Sequence, residues 1–272
     1  MENKRHDLLV IIPAYNEESN ISEVLEKLEK PPISDIADVL VINDASKDDT
    51  NFLVKGRGKA KMVTHVFNLG YGSAIQLGYK YAVRRRYQYV IQMDADGQHD
   101  PSNIPVIYEE LKKRDAEGNL CDIVLGSRYM GQEETFETSF AKKIAYVWFR
   151  FLIKLFTGRR FADPTTGLQG LNRKAFLYYS KYNHFDDKYP DANMLTQMLL
   201  LKFKIREIPA VMHSRTSGVS MHSGWKPFVY MFRMTFSVLA VAFRFGVLKE
   251  DMGVGENDTI WQEKETGSTG HK

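Results

Sequence analysis

Apolar runs that each stop at polar or acidic residues, alternating with segments of helical periodicity, predict an α/β fold with a mostly parallel central sheet flanked by helices. Three runs carry the prediction. Leu8 to Ile12 is continuously apolar and β-branched, as in a strand covered on both faces, and ends at Pro13-Ala-Tyr-Asn-Glu17. Asp38-Val-Leu-Val-Ile-Asn43-Asp44 ends in a carboxylate. Tyr89-Val-Ile-Gln-Met-Asp94-Ala-Asp96-Gly-Gln98-His99 stops at two carboxylates one residue apart. In open α/β sheets, ligands bind at the carboxyl ends of the strands.

Taken in order, Asn16 to Asn20 supplies caps for a first helix, in which Ile21, Val24, Leu25 and Leu28 recur at helical spacing before Pro31-Pro32 stops it. After the second strand, Ala45 to Thr50 reads as a turn entering a helix, and Val63 to Phe67 as a third strand. Asn68-Leu-Gly70-Tyr71-Gly72 opens a helix running to Arg86. The two glycines suggest a dinucleotide fingerprint, but Ile75 stands where the third glycine is required, which excludes it. Such a turn can still accept phosphate through backbone N–H groups or pack against the sheet. The strand bearing Asp94 follows, then a helix near Ile104 to Arg114 and a fifth strand, Asp122 to Arg128.

The chain of 272 residues, with 43% hydrophobic and 26% charged residues, suits one large folded domain with an appended segment. A net charge of +3 does not by itself imply a nucleic-acid partner, and none is expected. The single cysteine, Cys121, excludes an intramolecular disulfide framework and a cysteine-rich zinc site, and is expected in the core. No signal peptide is expected in the residues before Leu8, and no run reaches the ~18 apolar residues of a spanning helix. A cytoplasmic protein is expected.

Alternate side chains of an extended segment share a face, so Asp94 and Asp96 can hold a hard divalent cation through oxygen; the plainer alternative is an acidic turn before the helix start at Asp100-Pro-Ser102.

The motifs Pro13-Ala-Tyr-Asn-Glu17, Ile42-Asn-Asp44-Ala-Ser46, Asn68-x-Gly70-x-Gly72, Asp94-Ala-Asp96-Gly-Gln98-His99 and Gly126-Ser-Arg128-Tyr129 stand in the order and spacing of family 2 glycosyltransferases. With Asp163-Pro-Thr-Thr-Gly167 and Arg215-x-x-Gly218-x-Ser220, the chain most resembles the dolichyl- and polyprenyl-phosphate sugar transferases of that family, over about residues 8 to 222. The resemblance implies a GT-A nucleotide-sugar-binding domain, hexosyltransferase activity, a UDP-, GDP- or dTDP-sugar donor and Mg²⁺ or Mn²⁺. It places Pro13, Ala14, Tyr15, Glu17, Ile42 and Asp44 around the nucleotide. Asp94, Ala95, Asp96 and Gln98 would surround the diphosphate, with Asp94, Asp96 and Gln98 as metal ligands. Arg128 and Arg215 would neutralise phosphate oxygens through forked hydrogen bonds. The chain departs from the family at Tyr71 and Gln169, where basic residues are common, and a phosphate-binding role is not carried over to either.

Residues 138–161 and Trp225 to Lys249 mix aromatic, aliphatic and basic residues, a pattern that suits amphipathic helices in the headgroup layer of an anionic membrane. The alternative is helices that cover the sheet and let lysine side chains reach solvent. The expected division is a 1–222 catalytic domain including the 138–161 insertion, a 223–250 surface helix and a disordered 251–272 tail, all peripheral at the inner membrane face. A small membrane-protein partner or a homo-oligomer fits such a protein.

Asp191 can begin a helix running to Lys202, and as an N-cap it needs no other role. In many inverting glycosyltransferases an acidic residue in this region is the general base, which a hydroxyl acceptor requires and an ionised phosphate does not. The leading reading is therefore a metal-dependent inverting transferase acting on polyprenyl phosphate, with Asp96, Arg128, Asp191 and Arg215 as catalytic candidates. Transfer to a hydroxyl of a lipid-linked saccharide, and a non-catalytic nucleotide-sugar-binding subunit, are the competing readings.

Overall fold

In the computed structural model, which describes residues 6–130, 140–213 and 226–250, the first apolar run forms β1 (Leu8–Ala14), buried along its whole length. Its side chains alternate between two cores. Leu9 and Ile11 pack with the helices of one face, and Leu8, Val10 and Ile12 with those of the other. This period-two division is why the run is continuously apolar.

Six more strands complete the sheet: β2 (Ala37–Asn43), β3 (Lys61–Thr64), β4 (Tyr89–Gln92), β5 (Ile123–Ser127), β6 (Gln169–Asn172) and β7 (Ile205–Pro209). Their order is β3-β2-β1-β4-β6-β5-β7. β1 pairs in parallel with both β2 and β4, and only β6, between β4 and β5, runs antiparallel to its neighbours. The chain grows outward from β1 through β2 to β3, then returns to start β4 on the other side of β1. That reversal leaves a crevice at the carboxyl ends of β1 and β4.

One face carries α1 (Ile21–Leu28), α2 (Thr50–Arg57) and α4 (Asn103–Lys112). The other carries α3 (Tyr71–Arg84), α5 (Phe140–Thr157), α6 (Arg173–Ser180), α7 (Ala192–Leu200) and α8 (Lys226–Val241), which continues as a π-helical turn over Ala242–Val247. Cys121 is buried, as its type suggests.

Several expectations need correction. β3 ends at Thr64 because β2, its partner, offers no ladder beyond Asn43; Val66 and Phe67 are instead 84% and 73% exposed. α7 ends two residues early, where Lys202 takes left-handed backbone (φ 65°). The short β6, α6 and β7 carry too little periodicity to stand out in the sequence.

The two basic, aromatic helices each have one face covered by the domain and one face exposed. Phe149, Leu152 and Ile153 of α5 and Met234 and Val238 of α8 are buried, while Ile144, Val147, Phe151 and Leu155, and Val229, Phe232 and Phe236, are exposed. The two helices pack on α7 and on each other, and Trp148 Nε1 donates to Thr235 Oγ1 (2.9 Å). By length and composition Val229–Val247 is apolar enough to cross a membrane, contrary to expectation, because Arg233 and Arg244 interrupt it without lowering its mean hydropathy below that of a span. Core helices pass the same test, and this helix has one face fixed to the domain. The 251–272 tail and Trp225 lie outside the described residues.

Candidate active site

The loops leaving β1 and β2 are stitched together. Asn16 N–H donates to Ser46 Oγ, Glu17 N–H to Thr50 Oγ1 and Glu18 N–H to Asp48 Oδ2, while Lys47 N–H returns a bond to Asn16 Oδ1 (2.8–3.0 Å). Tyr15 stands at this rim, 42% exposed, and Glu17 Oε2 accepts from Asn20 Nδ2 at 2.9 Å. Pro13, Ala14 and Ile42 are buried within β1 and β2, so these three meet a ligand only through backbone or as a wall.

Asp44 is also buried, and its carboxylate holds the next loop. Oδ1 accepts from Leu69 N–H (2.9 Å) and lies 2.6 Å from His65 Nδ1, and Oδ2 accepts from Gly70 N–H (2.8 Å). The loop so held delivers α3 to the crevice. A Cβ on Gly72 would stand 2.1 Å from the Asp186 carbonyl oxygen, and Ser73 N–H donates to the Asp187 carbonyl (2.9 Å). The Gly70-x-Gly72 turn packs, but against the 186–187 backbone rather than against the sheet as expected.

Asp94 lies two residues beyond β4 and is held from three sides. Tyr71 Oη donates to Oδ1 (2.9 Å), the Asp94 N–H donates to His99 Nδ1 (3.0 Å), and a Cβ on Gly167 would come within 2.7 Å of Oδ2. Because His99 Nδ1 accepts, the neutral ring carries its proton on Nε2, 3.8 Å from Asp94 Oδ2. Burial, then the Asp94 charge, pushes the Tyr71 phenol well above its usual range, keeping it a donor. Ala95 is buried beside Asp94, and Asp96 Oδ1 accepts from Gln98 N–H (3.0 Å). The Gln98 carbonyl accepts from His213 N–H (2.7 Å), and His213 Nε2 meets Asp100 Oδ2 at 2.6 Å.

Arg128, at the end of β5, does not present the fork expected of it. Nε and Nη2 bind the two oxygens of fully buried Asp163 at 2.6 and 2.7 Å, so that edge is committed within the protein. Glu207 Oε1 in turn accepts from the Asp163 N–H (2.6 Å). Arg215, with Gly218 and Ser220, lies outside the described residues.

Asp191 precedes α7 but makes no side-chain cap, which corrects the capping expectation; Asn193 Oδ1 takes the N–H groups of Asp191 and Met194 (2.9 and 2.8 Å). The Asp191 carboxylate accepts instead from Tyr230 Oη of α8 (2.6 Å). Burial pushes its pKa up to about 6; the Tyr230 bond opposes the rise, and the Asp94 and Asp186 carboxylates add to it. The Asp94 carboxylate and the Arg128 guanidinium thus both bear on the charge of Asp191, in opposite directions.

Among the described residues no three His, Cys, Asp or Glu side chains form a closed metal site. The donor set of Asp94, Asp96 and Gln98 is all oxygen, which fits Mg²⁺ or Mn²⁺ completed by substrate phosphates rather than a structural metal. Tyr71, Asp163, Gly167 and Tyr230 were not among the residues singled out for the site. Tyr71 marks a departure from the motif and Asp163 and Gly167 bound a quoted one, but nothing near Tyr230 in sequence points to Asp191.

A sequence-family model described as Glycosyl transferase family 2 matches residues 9–179. The chain is 25% identical over 241 residues to the UDP-N-acetylglucosamine–dolichyl-phosphate N-acetylglucosaminyltransferase of Methanococcus voltae, covering 81% of this chain and 93% of that protein. It is 27% identical over 232 residues to the human dolichyl-phosphate β-glucosyltransferase, covering 80% and 70%. Its fold resembles the crystal structure of glucosyl-3-phosphoglycerate synthase from Mycobacterium tuberculosis with Mn²⁺, UDP and phosphoglyceric acid (TM-score 0.62, 18% identity, 92% of this chain and 81% of that one).

Proposed function

The chain belongs to glycosyl transferase family 2, and from that premise we propose that it moves a hexose from a nucleotide-sugar donor to a polyprenyl phosphate at the cytoplasmic face of a membrane, in one displacement that inverts the anomeric centre. The observation that carries this reading is Asp94 and Asp96 at the carboxyl end of β4, in the crevice where the strand order reverses. The names of the dolichyl-phosphate relatives supply the acceptor class.

In this reading Tyr15, Glu17 and the stitched β1 and β2 loops receive the nucleotide. Asp94, Asp96 and Gln98 take Mg²⁺ or Mn²⁺, which when bound stabilises the nucleoside diphosphate as it leaves. Tyr71, His99 and Gly167 fix the direction of the Asp94 carboxylate beforehand. Arg128, braced by Asp163, contributes positive charge to the acceptor side rather than a forked grip. The exposed apolar faces of α5 and α8 would sit in the headgroup layer, bringing the crevice to a lipid-borne acceptor.

Asp191 supports a second reading. An uncapping carboxylate pushed up to about 6 is suited to take a proton near neutral pH, which a sugar-hydroxyl acceptor would need.

A screen of UDP-glucose, UDP-N-acetylglucosamine, GDP-mannose and dTDP-glucose against undecaprenyl phosphate, with Mn²⁺ and with chelator, tests the proposal. Metal-dependent transfer that Asp96→Ala abolishes with the fold intact is expected. Failure with the phosphate and success with a lipid-linked saccharide would replace the first reading by the second. Asp191→Asn should then cost roughly 10²-fold or more, against a modest factor for a phosphate acceptor.

A further inference from the structure

The loop over residues 186–191, with the first turn of α7, joins two parts of the molecule with different expected tasks. At one end its backbone abuts the start of α3: the Asp186 and Asp187 carbonyls face Gly72 and Ser73, one residue from the Tyr71 that holds Asp94. At the other end it is fastened to α8. Buried Asn193 donates through Nδ2 to Ser237 Oγ (2.9 Å) and to Asp186 Oδ2 (2.8 Å), while its Oδ1 holds the Asp191 and Met194 N–H groups. Tyr230 Oη donates to Asp191 Oδ2, and the Tyr230 ring is itself wedged edge-on between Tyr189 (5.5 Å) and Phe149 (6.0 Å). Arg233, one turn further along, lies over the Tyr189 ring (5.3 Å).

Helix α8 thus does two things at once. Its outer face, with Val229, Phe232 and Phe236, is exposed and apolar. Its inner face supplies Tyr230 and Ser237, two hydroxyls that meet the Asp191 loop. A helix kept only for surface attachment needs neither.

We propose that α8 is a working part of the active site, in which Tyr230 and Ser237 are positioning residues that aim the Asp191 carboxylate for the sugar transfer. This rests on the second of the two readings above, in which Asp191 takes the proton of a hydroxyl acceptor. The groups that bear on Asp191 are Tyr230 of α8, Asp94 after β4, Asp186 on its own loop, Tyr71 of α3 and Arg128 after β5. Of these, Tyr230 makes the hydrogen bond to its carboxylate, and that bond favours the ionised form. Tyr230→Phe keeps the wedged ring and removes the hydroxyl that makes this bond.

The test uses the full chain with ¹³C-carboxyl-labelled aspartate, the Asp191 resonance being assigned by its loss in Asp191→Asn. In Tyr230→Phe that carboxyl should titrate about one pH unit higher than in wild type, and the pH profile of transfer to a detergent-dispersed lipid-linked saccharide should move with it, while transfer to farnesyl phosphate, which needs no base, should change little. The rate of transfer to the saccharide should fall about twofold at about pH 7 and approach a roughly tenfold loss near pH 5, as the ionised fraction of the carboxylate does, with pelleting on phosphatidylglycerol vesicles unchanged. Ser237→Ala should alter transfer in the same direction by a smaller factor. An unchanged Asp191 titration in Tyr230→Phe, or a shifted titration with an unchanged transfer profile, overturns the inference. A wild type inactive with every donor and both acceptors overturns the functional reading instead.

Discussion

Asp191 carries a cost that follows from its surroundings. Its folded-state pKa, pushed up to about 6 mainly by burial, lies above the ordinary carboxylate value, so the native state holds the proton more tightly than the unfolded chain does. Stability attributable to this residue is therefore highest in acid and falls as pH rises from about 4 through about 6. Asp191→Asn removes the charge and leaves an oxygen for Tyr230. At pH 8 it should be more stable than wild type, by up to about 3 kcal/mol, and the gap should close near pH 4. Urea unfolding at the two pH values reads this directly, and an equal gap at both would contradict the assignment. Gly167 shows the opposite balance. A methyl there meets the free end of the Asp94 side chain at 2.7 Å, so the chain can yield and the stability cost should stay below about 1 kcal/mol. The carboxylate, however, would be turned from its set direction. Gly167→Ala should weaken Mn²⁺-UDP binding about tenfold by calorimetry while leaving the unfolding midpoint nearly unchanged.

At the scale of elements, α3 and the loop before α7 are fitted backbone to backbone at Asp186 and Asp187. Gly72→Ala would set a methyl 2.1 Å from the Asp186 carbonyl oxygen and 2.7 Å from the Asp187 carbonyl carbon. Neither is a side-chain end that can swing away, so the first turn of α3 or the loop must shift. A loss of about 2 to 3 kcal/mol is expected in urea unfolding, together with a fall in transfer, because Tyr71 and Asp191 flank the displaced contact. Were Gly72→Ala as stable as wild type, the contact would not be tight in solution.

For the molecule as a whole, the arrangement of α5 and α8 predicts how it meets a membrane. Their outer faces lie side by side, with Phe232 and Phe236 each about two-thirds exposed, while Met234 and Val238 stay anchored in the core. A helix fastened along one side to the domain is expected to lie on a bilayer rather than cross it. Wild-type protein should pellet with phosphatidylglycerol vesicles and be only partly released by high salt, since ions do not screen the apolar contribution. Phe232→Ser with Phe236→Ser should bind several-fold more weakly and then be released by salt almost completely, with little change in stability. Resistance to both salt and alkaline extraction would indicate a spanning helix instead.

The sequence by itself determined the parallel half of the sheet, because strands covered on both faces must be apolar throughout and their carboxyl ends must turn polar. It also determined that Asp94 and Asp96 stand at such an end, since one residue of separation and a following glycine are local facts. The helices with a basic, aromatic outer face were legible for the same reason: amphipathicity is written at spacings of three and four. Only the tertiary structure decided how the charges are spent. Arg128 reads as a phosphate ligand until buried Asp163, 35 residues later, takes its fork. Asp191 reads as a helix cap until Tyr230, 39 residues later, takes its carboxylate. The reversed strand β6, and the turn of α3 filled by the Asp187 carbonyl rather than a phosphate, were likewise hidden. Hydrogen bonds between distant segments leave no periodicity in either one, so a side chain's chemistry can be read from its type, but its partner only from the fold.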